Sequence, residues 1–188
     1  AASCLEGSRL VLKDVGVNPT RAALLDVFRG AGADISVADL RTEAGEPIAD
    51  ISVRGGIEAR QEPLRLSGSL IANLIDEIPA LAVLGTQLPA GLEVKDAAEL
   101  RHKETDRIAA VVENLRKMGA DAEELDEGLR VGPSRLQGAA VNSFGDHRIA
   151  MAFAVAGLLA QGETMIEGAD CVNVSFPGFF GVLENVVS

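Results

Sequence analysis

The sequence predicts a mixed α/β (α+β) fold in which one supersecondary unit recurs, and three observations carry that prediction. A β-rich segment, a helix and two short strands follow one another twice in the same order. The text of the two copies also agrees: Leu12-Lys13-Asp14 matches Val94-Lys95-Asp96 and Gly32-Ala33-Asp34 matches Gly119-Ala120-Asp121, 82 and 87 positions apart. A period of about eighty residues is far longer than a solenoid repeat, so the copies read as units packed around one core. Chance similarity between βα units is the competing explanation, and the doubled tripeptides weigh against it.

The first copy opens with a strand over Arg9 to Asp14. Asn18-Pro19-Thr20 then offers an N-cap with proline at the first helical position. The helix that follows turns Ala22, Leu24, Leu25, Val27 and Phe28 inward and Arg21, Asp26 and Arg29 outward, and Gly30 or Gly32 stops it. Strands are expected over Asp34 to Ala38 and Ile48 to Val53, with a turn at Gly45 and Pro47. The second copy has its strand at Leu92 to Asp96, its helix at Glu104 to Met118, and short strands around Ala122 to Leu125 and Leu129 to Val131. A shorter third copy runs from Met165-Ile166-Glu167 through Phe176-Pro177 into the apolar run Phe179 to Val187. Between the copies lie two further helical stretches, Ser69 to Leu88, interrupted by Pro79, and Asp146 to Gln161. The segment Ile149 to Ala160 is apolar on every side, which predicts a helix buried all round.

Composition narrows the function. With 188 residues and 47% hydrophobic content the chain is long enough for one well-buried domain or two small ones, and repeats packed around one core are expected to make residues 1–188 a single domain. A net charge of -11, with no Trp or Tyr to stack on bases, argues against nucleic acid and against anionic membrane as partners. No apolar run is long enough to span a bilayer. Cys4 and Cys171 show no CxxC spacing and His102 and His147 have no ligand-spaced partners, so we expect inert thiols, a cytoplasmic location, no metal and no cofactor. The opening residues Ala1-Ala2-Ser3 read as the tail of an earlier element, and we expect a fragment of a longer chain.

An anionic substrate would have to be held by a local cationic cluster, and the chain offers two. Arg101-His102-Lys103-Glu104-Thr105-Asp106-Arg107 sits at the second strand-to-helix corner. With a helix beginning near Glu104, Glu104 and Arg107 share a face and Lys103 stands just before the first turn. The same stretch also reads as a solvated helix start capped by Thr105 or Asp106. Asp146-His147-Arg148 opens the apolar helix, with Asp146 a good N-cap and the helix start favouring an anion. Arg148 is either paired with a neighbouring carboxylate or, facing one cleft with Arg107, part of a clamp for a carboxylate and a phosphate. Asp76-Glu77 precedes Ile78-Pro79, where capping of a new helix is the simple explanation.

Four stretches together resemble the 5-enolpyruvylshikimate-3-phosphate synthase family, in its C-terminal half and over essentially the whole chain. They are Arg101 to Arg107, Asp146-His147-Arg148-Ile149-Ala150-Met151, Asn18-Pro19-Thr20-Arg21 and Ser175-Phe176-Pro177. The resemblance implies an enolpyruvyl transferase-like domain of repeated βαβαββ units with partly buried helices, and a missing complementary N-terminal domain. It implies transfer of the enolpyruvyl group of phosphoenolpyruvate to the 5-hydroxyl of shikimate-3-phosphate with release of phosphate. Carried over by position, Asp76 and Glu104 are the proton-transfer pair, Asp76 as base and Glu104 as acid or the reverse. Lys103 contacts shikimate-3-phosphate, and Arg107 and Arg148, with His147 beside them, grip phosphoenolpyruvate. Two departures stand out. Some members carry a lysine two residues before the phenylalanine of the Ser/Thr-Phe-Pro motif, where this chain has Val174, and in some the aspartate follows the proline, where this chain has Ala80. Two other readings are the sister transferase acting on UDP-N-acetylglucosamine, and a non-catalytic module that binds only its partner half or an anion.

Overall fold

The computed structural model describes residues 1–19, 22–57 and 61–187; Thr20 and Arg21, part of the expected helix start and of the Asn18 to Arg21 motif, lie outside them. The second copy is the most complete unit. Strands β4 (Leu64–Leu66), β5 (Leu92–Val94), β6 (Ala122–Leu125) and β7 (Gly128–Val131) form one sheet in the order β4-β5-β7-β6, with β4 and β5 parallel and the other pairs antiparallel. Helices α2 (Ser69–Leu74) and α3 (Ile78–Gln87) carry the chain from β4 to β5, and α4 (Arg107–Lys117) carries it from β5 to β6. That is a βαβαββ unit. The helical stretch 69–88 does not break at Pro79, which sits in the first turn of α3 where its missing N–H costs nothing; the break falls just earlier, at residues 75–77.

The first copy reproduces the later part of that unit. Strands β1 (Arg9–Gly16), β2 (Asp34–Glu43) and β3 (Glu46–Arg54) pair in the order β1-β3-β2, matching β5-β7-β6. Ala44 and Gly45, both at positive φ (49° and 86°), make the tight turn between β2 and β3, so Pro47 falls inside β3 rather than in the turn. Helix α1 spans Ala23–Gly30 and begins without a side-chain cap, so Asn18 is not its N-cap; the Asn18 carbonyl instead accepts the Ala22 N–H in the preceding turn. The third copy has β8 (Ala140–Asn142) parallel to β9 (Met165–Glu167), joined by α5 (His147–Leu159) and followed by α6 (Val172–Ser175) and α7 (Phe179–Val187).

The two repeated tripeptides have separate physical causes. Asp14, at the bulge inside β1, and Asp96, just past β5, take φ 57° and 58°, and Gly168 takes the same left-handed conformation after β9 at 69°. Aspartate is one of the few side chains that tolerates that region. Gly32 and Gly119, at φ 95° and 79°, terminate α1 and α4. In both, the next alanine N–H reaches back to a carbonyl five residues earlier, Ala33 to Phe28 at 3.0 Å and Ala120 to Leu115 at 2.9 Å.

A single apolar cluster joins the helices, with Leu81, Ile108, Leu115, Ile149 and Phe153 wholly shielded from solvent. Each such side chain contributes roughly 1.5–3 kcal/mol on burial. Helix α5 packs against α3 and α4. It is not buried all round: Ile149, Ala152, Phe153 and Ala156 are covered, whereas Met151, Val155 and Leu158 form a half-buried stripe at helical spacing. In the second copy α3 lies over β5 and β7. The corresponding face of the first copy is an apolar groove of 370 Å³ between α1 and the sheet, lined by Leu10, Leu12, Phe28 and Ile51.

Candidate functional site

Three helix starts converge where the second and third units meet. Helix α4 begins at Arg107, three residues later than Glu104, because Asp106 is the N-cap and accepts the Ala109 N–H at 3.0 Å. Glu104 therefore lies in the loop before the helix and reaches Arg107 across that cap. The 3-10 turn Ala98–His102 precedes it, with Arg101 bound to Asp106 and Glu124 at 2.8 and 2.9 Å. Helix α5 begins behind Asp146, whose Oδ1 accepts the Arg148 N–H at 2.8 Å and the Ile149 N–H at 3.4 Å. Helix α3 begins behind Glu77, whose side chain makes no cap; Asp76, just ahead of it, does not cap the helix either but points to the other two helix starts.

Arg107 is the centre of the arrangement. Its side chain is 2% exposed, and each of its nitrogens donates to a different carboxylate. Nε bonds Asp146 Oδ2 at 2.7 Å, Nη1 bonds Asp76 Oδ1 at 2.9 Å and Nη2 bonds Glu104 Oε2 at 2.6 Å. Burial is the largest single influence on its pKa and pulls it down, but the hydrogen bond and charge of Asp146, then Asp76 and Glu104, outweigh it and the net shift is upward. Asp146 is wholly buried, so this pair exists as a pair or not at all: removing one partner strands the other charge in the core.

Asp76 bridges the two arginines. Its Oδ1 faces Arg107, its Oδ2 lies 3.1 Å from Arg148 Nη2, and its backbone carbonyl accepts Arg148 Nη1 at 3.2 Å. Glu77 is a looser neighbour, 3.9 Å from Arg148. Burial raises the Glu77 carboxyl above its ordinary range, with the Arg148 charge opposing and the Asp76 charge adding to the rise.

Of the six residues singled out in the sequence, the structure joins Asp76, Glu104, Arg107 and Arg148 into one hydrogen-bonded network. Lys103 is turned to Glu99 by an ion pair one helical turn away. His147 stands at the same helix start, half-buried, and among the described residues is not part of that network. Asp146 and Glu77 belong to the site as well. Read as a cap, Asp146 gave no sign that one carboxylate would serve both a helix start and a buried arginine. The signal for a second role was Arg107 itself, a charged residue opening an apolar helical face. The motif Ser175-Phe176-Pro177 closes α6, with Val174 pointing to solvent at 87% exposure and Phe176 stacked edge-on to Phe179 at 5.7 Å. Among the described residues no group of three His, Cys, Asp or Glu is placed to hold a metal ion, and no helix is long and apolar enough to cross a membrane.

Three cations, Lys103, Arg107 and Arg148, are thus met by Glu99, Asp76, Glu77, Glu104 and Asp146. The arrangement presents two guanidinium groups to a single carboxylate, beside a helix N-terminus on each side. A carboxylate or phosphate of a ligand has the charge and size to take the place that Asp76 occupies, and a displaced Asp76 or Glu104 becomes available to take up or give a proton.

Known proteins carry chains similar to this one. A model of the EPSP synthase (3-phosphoshikimate 1-carboxyvinyltransferase) family matches residues 1–183. A 3-phosphoshikimate 1-carboxyvinyltransferase of Pelotomaculum thermopropionicum is 52% identical over 188 residues, and one of Solibacter usitatus 50% identical over 192 residues. They cover 100% and 99% of this chain respectively, which spans 43% of the length of each. The solved structure of EPSP synthase from Acinetobacter baumannii superposes with a TM-score of 0.88 at 34% identity, over 98% of this chain and 43% of that one. The repeat, the enolpyruvyl transferase-like fold and the two charged motifs at helix starts have one source: this chain belongs to the EPSP synthase family.

Proposed function

We propose that this chain is one domain of a two-domain enolpyruvyl transferase of the shikimate pathway, acting in the cytoplasm, and that it forms one wall of the active site. The substrates are phosphoenolpyruvate and shikimate-3-phosphate, and the facing wall belongs to a complementary N-terminal domain. Arg107 and Arg148, with His147 beside them, hold the phosphate and carboxylate of phosphoenolpyruvate. Lys103, released from Glu99, contacts shikimate-3-phosphate. Asp76 and Glu104 move the protons. The 5-hydroxyl oxygen bonds to the central carbon of phosphoenolpyruvate while one carboxylate takes its proton and the other delivers a proton to the methylene carbon. That methyl group then loses a proton as the carbon–oxygen bond to phosphate breaks, and the enol ether and phosphate leave.

The observation that carries this reading is the Asp76 carboxylate bridging Arg107 and Arg148, an anion held between two guanidinium groups. Family membership supports the substrates and reaction, and the free thiols Cys4 and Cys171 support a reducing compartment. Half a site orients neither substrate against the other, so activity needs both walls. The test is to mix this chain with the complementary N-terminal half of a family member and follow phosphate release from phosphoenolpyruvate in the presence of shikimate-3-phosphate. Release only with both halves present is expected. No release, with the intact parent enzyme active in the same assay, would leave this chain a binding module.

A further inference from the structure

Asn114 is wholly buried on α4, two helical turns from Arg107 and therefore on the same face. Its neighbours on that helix are core hydrophobics, so a polar side chain there must be satisfied or it costs stability. It is satisfied in an unusual way. Its Nδ2 donates to the Asn142 carbonyl at 2.8 Å and its Oδ1 accepts the Asn142 N–H at 3.0 Å, so a side-chain amide pairs with the end of β8 as a neighbouring strand would.

The segment beyond that anchor is a strained corner. Phe144 and Gly145 are both left-handed, at φ 53° and 74°, and the Asp146 N–H closes the turn on the Ser143 carbonyl at 2.9 Å. A bulky residue such as Phe144 holds that conformation only where its surroundings enforce it. They do: Asn142 Oδ1 accepts the Phe144 N–H at 2.6 Å, and Ser143 Oγ accepts the Gly145 N–H at 3.2 Å while donating to the Gly168 carbonyl at 3.0 Å. The corner ends at Asp146, which Arg107 grips at 2.7 Å, and at Arg148. Helix α4 therefore holds the β8 to α5 corner at two points, Asn114 on the strand side and Arg107 on the helix side.

We propose that Asn114 is a positioning residue for the anion site: by fixing the end of β8 it sets where the Phe144-Gly145 turn delivers Asp146 and Arg148 against Arg107. The link to phosphoenolpyruvate rests on the function proposed above; the positioning itself does not. The test is hydrogen exchange at arginine Nε–H groups, followed by NMR on the 188-residue chain. Arg107 Nε–H reports the corner, and Arg116 Nε–H, bonded to the Ala122 carbonyl at 2.8 Å from the same helix, reports α4 itself. In Asn114→Ala the Arg107 signal should exchange at least tenfold faster while the Arg116 signal keeps its parent rate. Unchanged Arg107 exchange, or equal acceleration of both signals, overturns the proposal. Should the alanine variant fail to fold, Asn114→Asp decides by the same criterion, since it keeps an acceptor for the Asn142 N–H and loses the donor to the carbonyl. In the chain reconstituted with its complementary half, either variant should raise the phosphoenolpyruvate KM severalfold with a smaller change in kcat. Faster Arg107 exchange with an unchanged KM would overturn the link to phosphoenolpyruvate and leave the corner a structural device.

Discussion

From the left-handed Asp14 of the first copy the chain reaches the Gly32 stop in 18 residues; from Asp96 in the second copy it reaches Gly119 in 23. Strand order, left-handed aspartate and left-handed glycine are the same in both. The added residues lengthen the helix from 8 to 11 and make room for the 3-10 turn Ala98–His102 and the charged loop after it. Within α1 the Asp26 and Arg29 side chains pair at the surface, where an ion pair is worth little. In the second copy, Arg107 is buried among three carboxylates from three different segments. The longer corner of the second copy is anchored by Leu100, buried in the core, and carries the charged loop that the shorter corner of the first copy has no room for.

The largest expected break in this comparison is Arg107→Ala. It strands the Asp146 carboxylate in the core, and we expect a loss of about 3–5 kcal/mol in urea unfolding, whereas Arg29→Ala in α1 should cost under about 1 kcal/mol. Equal effects would mean that the buried Arg107 network stabilises the fold no more than the surface pair of α1. Next come the two stops. Gly119→Ala and Gly32→Ala each force a side chain into the left-handed region, for a loss of about 1–2 kcal/mol at either site. A large inequality between them would show that the copies do not share that feature energetically. Asp106→Ala, which removes the α4 cap, should cost about 1 kcal/mol.

The smallest effect tests the electrostatics. The Glu77 carboxyl is raised by burial, so the folded chain holds that proton more tightly than the unfolded chain does. Its contribution is fully present below the ordinary glutamate pKa and is lost as pH rises through the raised value. Glu77→Gln should therefore melt slightly above the parent at pH 7 and alongside it near pH 3. A variant that melts lower at pH 7 would show that the loose contact with Arg148 outweighs the burial cost.

Much of this architecture was legible in the residues. The strand-helix-hairpin order and both tripeptides had local causes, a left-handed aspartate and a helix stop, and local causes leave marks in sequence. The exposure of one stripe of α5 was not legible, because an all-apolar helix carries no record of which side its neighbours cover. Nor were the start of α4 and the break before α3: several polar residues in each stretch were able to cap, and only the packed structure selected Asp106 and left Asp76 free to turn toward the arginines. The bridging role of Asp76 and the anchoring role of Asn114 depend on segments 31 and 28 residues away, and single-sequence spacing does not reach that far.

On the proposed function, the seat between Arg107 and Arg148, held by Asp76 in the chain alone, receives a ligand anion. The most direct measurement is titration of the 15N-labelled chain with phosphoenolpyruvate while the arginine Nε–H signals are followed. The expected result is saturable movement of the Arg107 and Arg148 signals, with Arg130 on β7, paired to Glu93 and Glu123, unmoved, and tighter binding in Asp76→Ala, where the internal competitor is gone. Movement of all arginines alike, or weaker binding in Asp76→Ala, would contradict it.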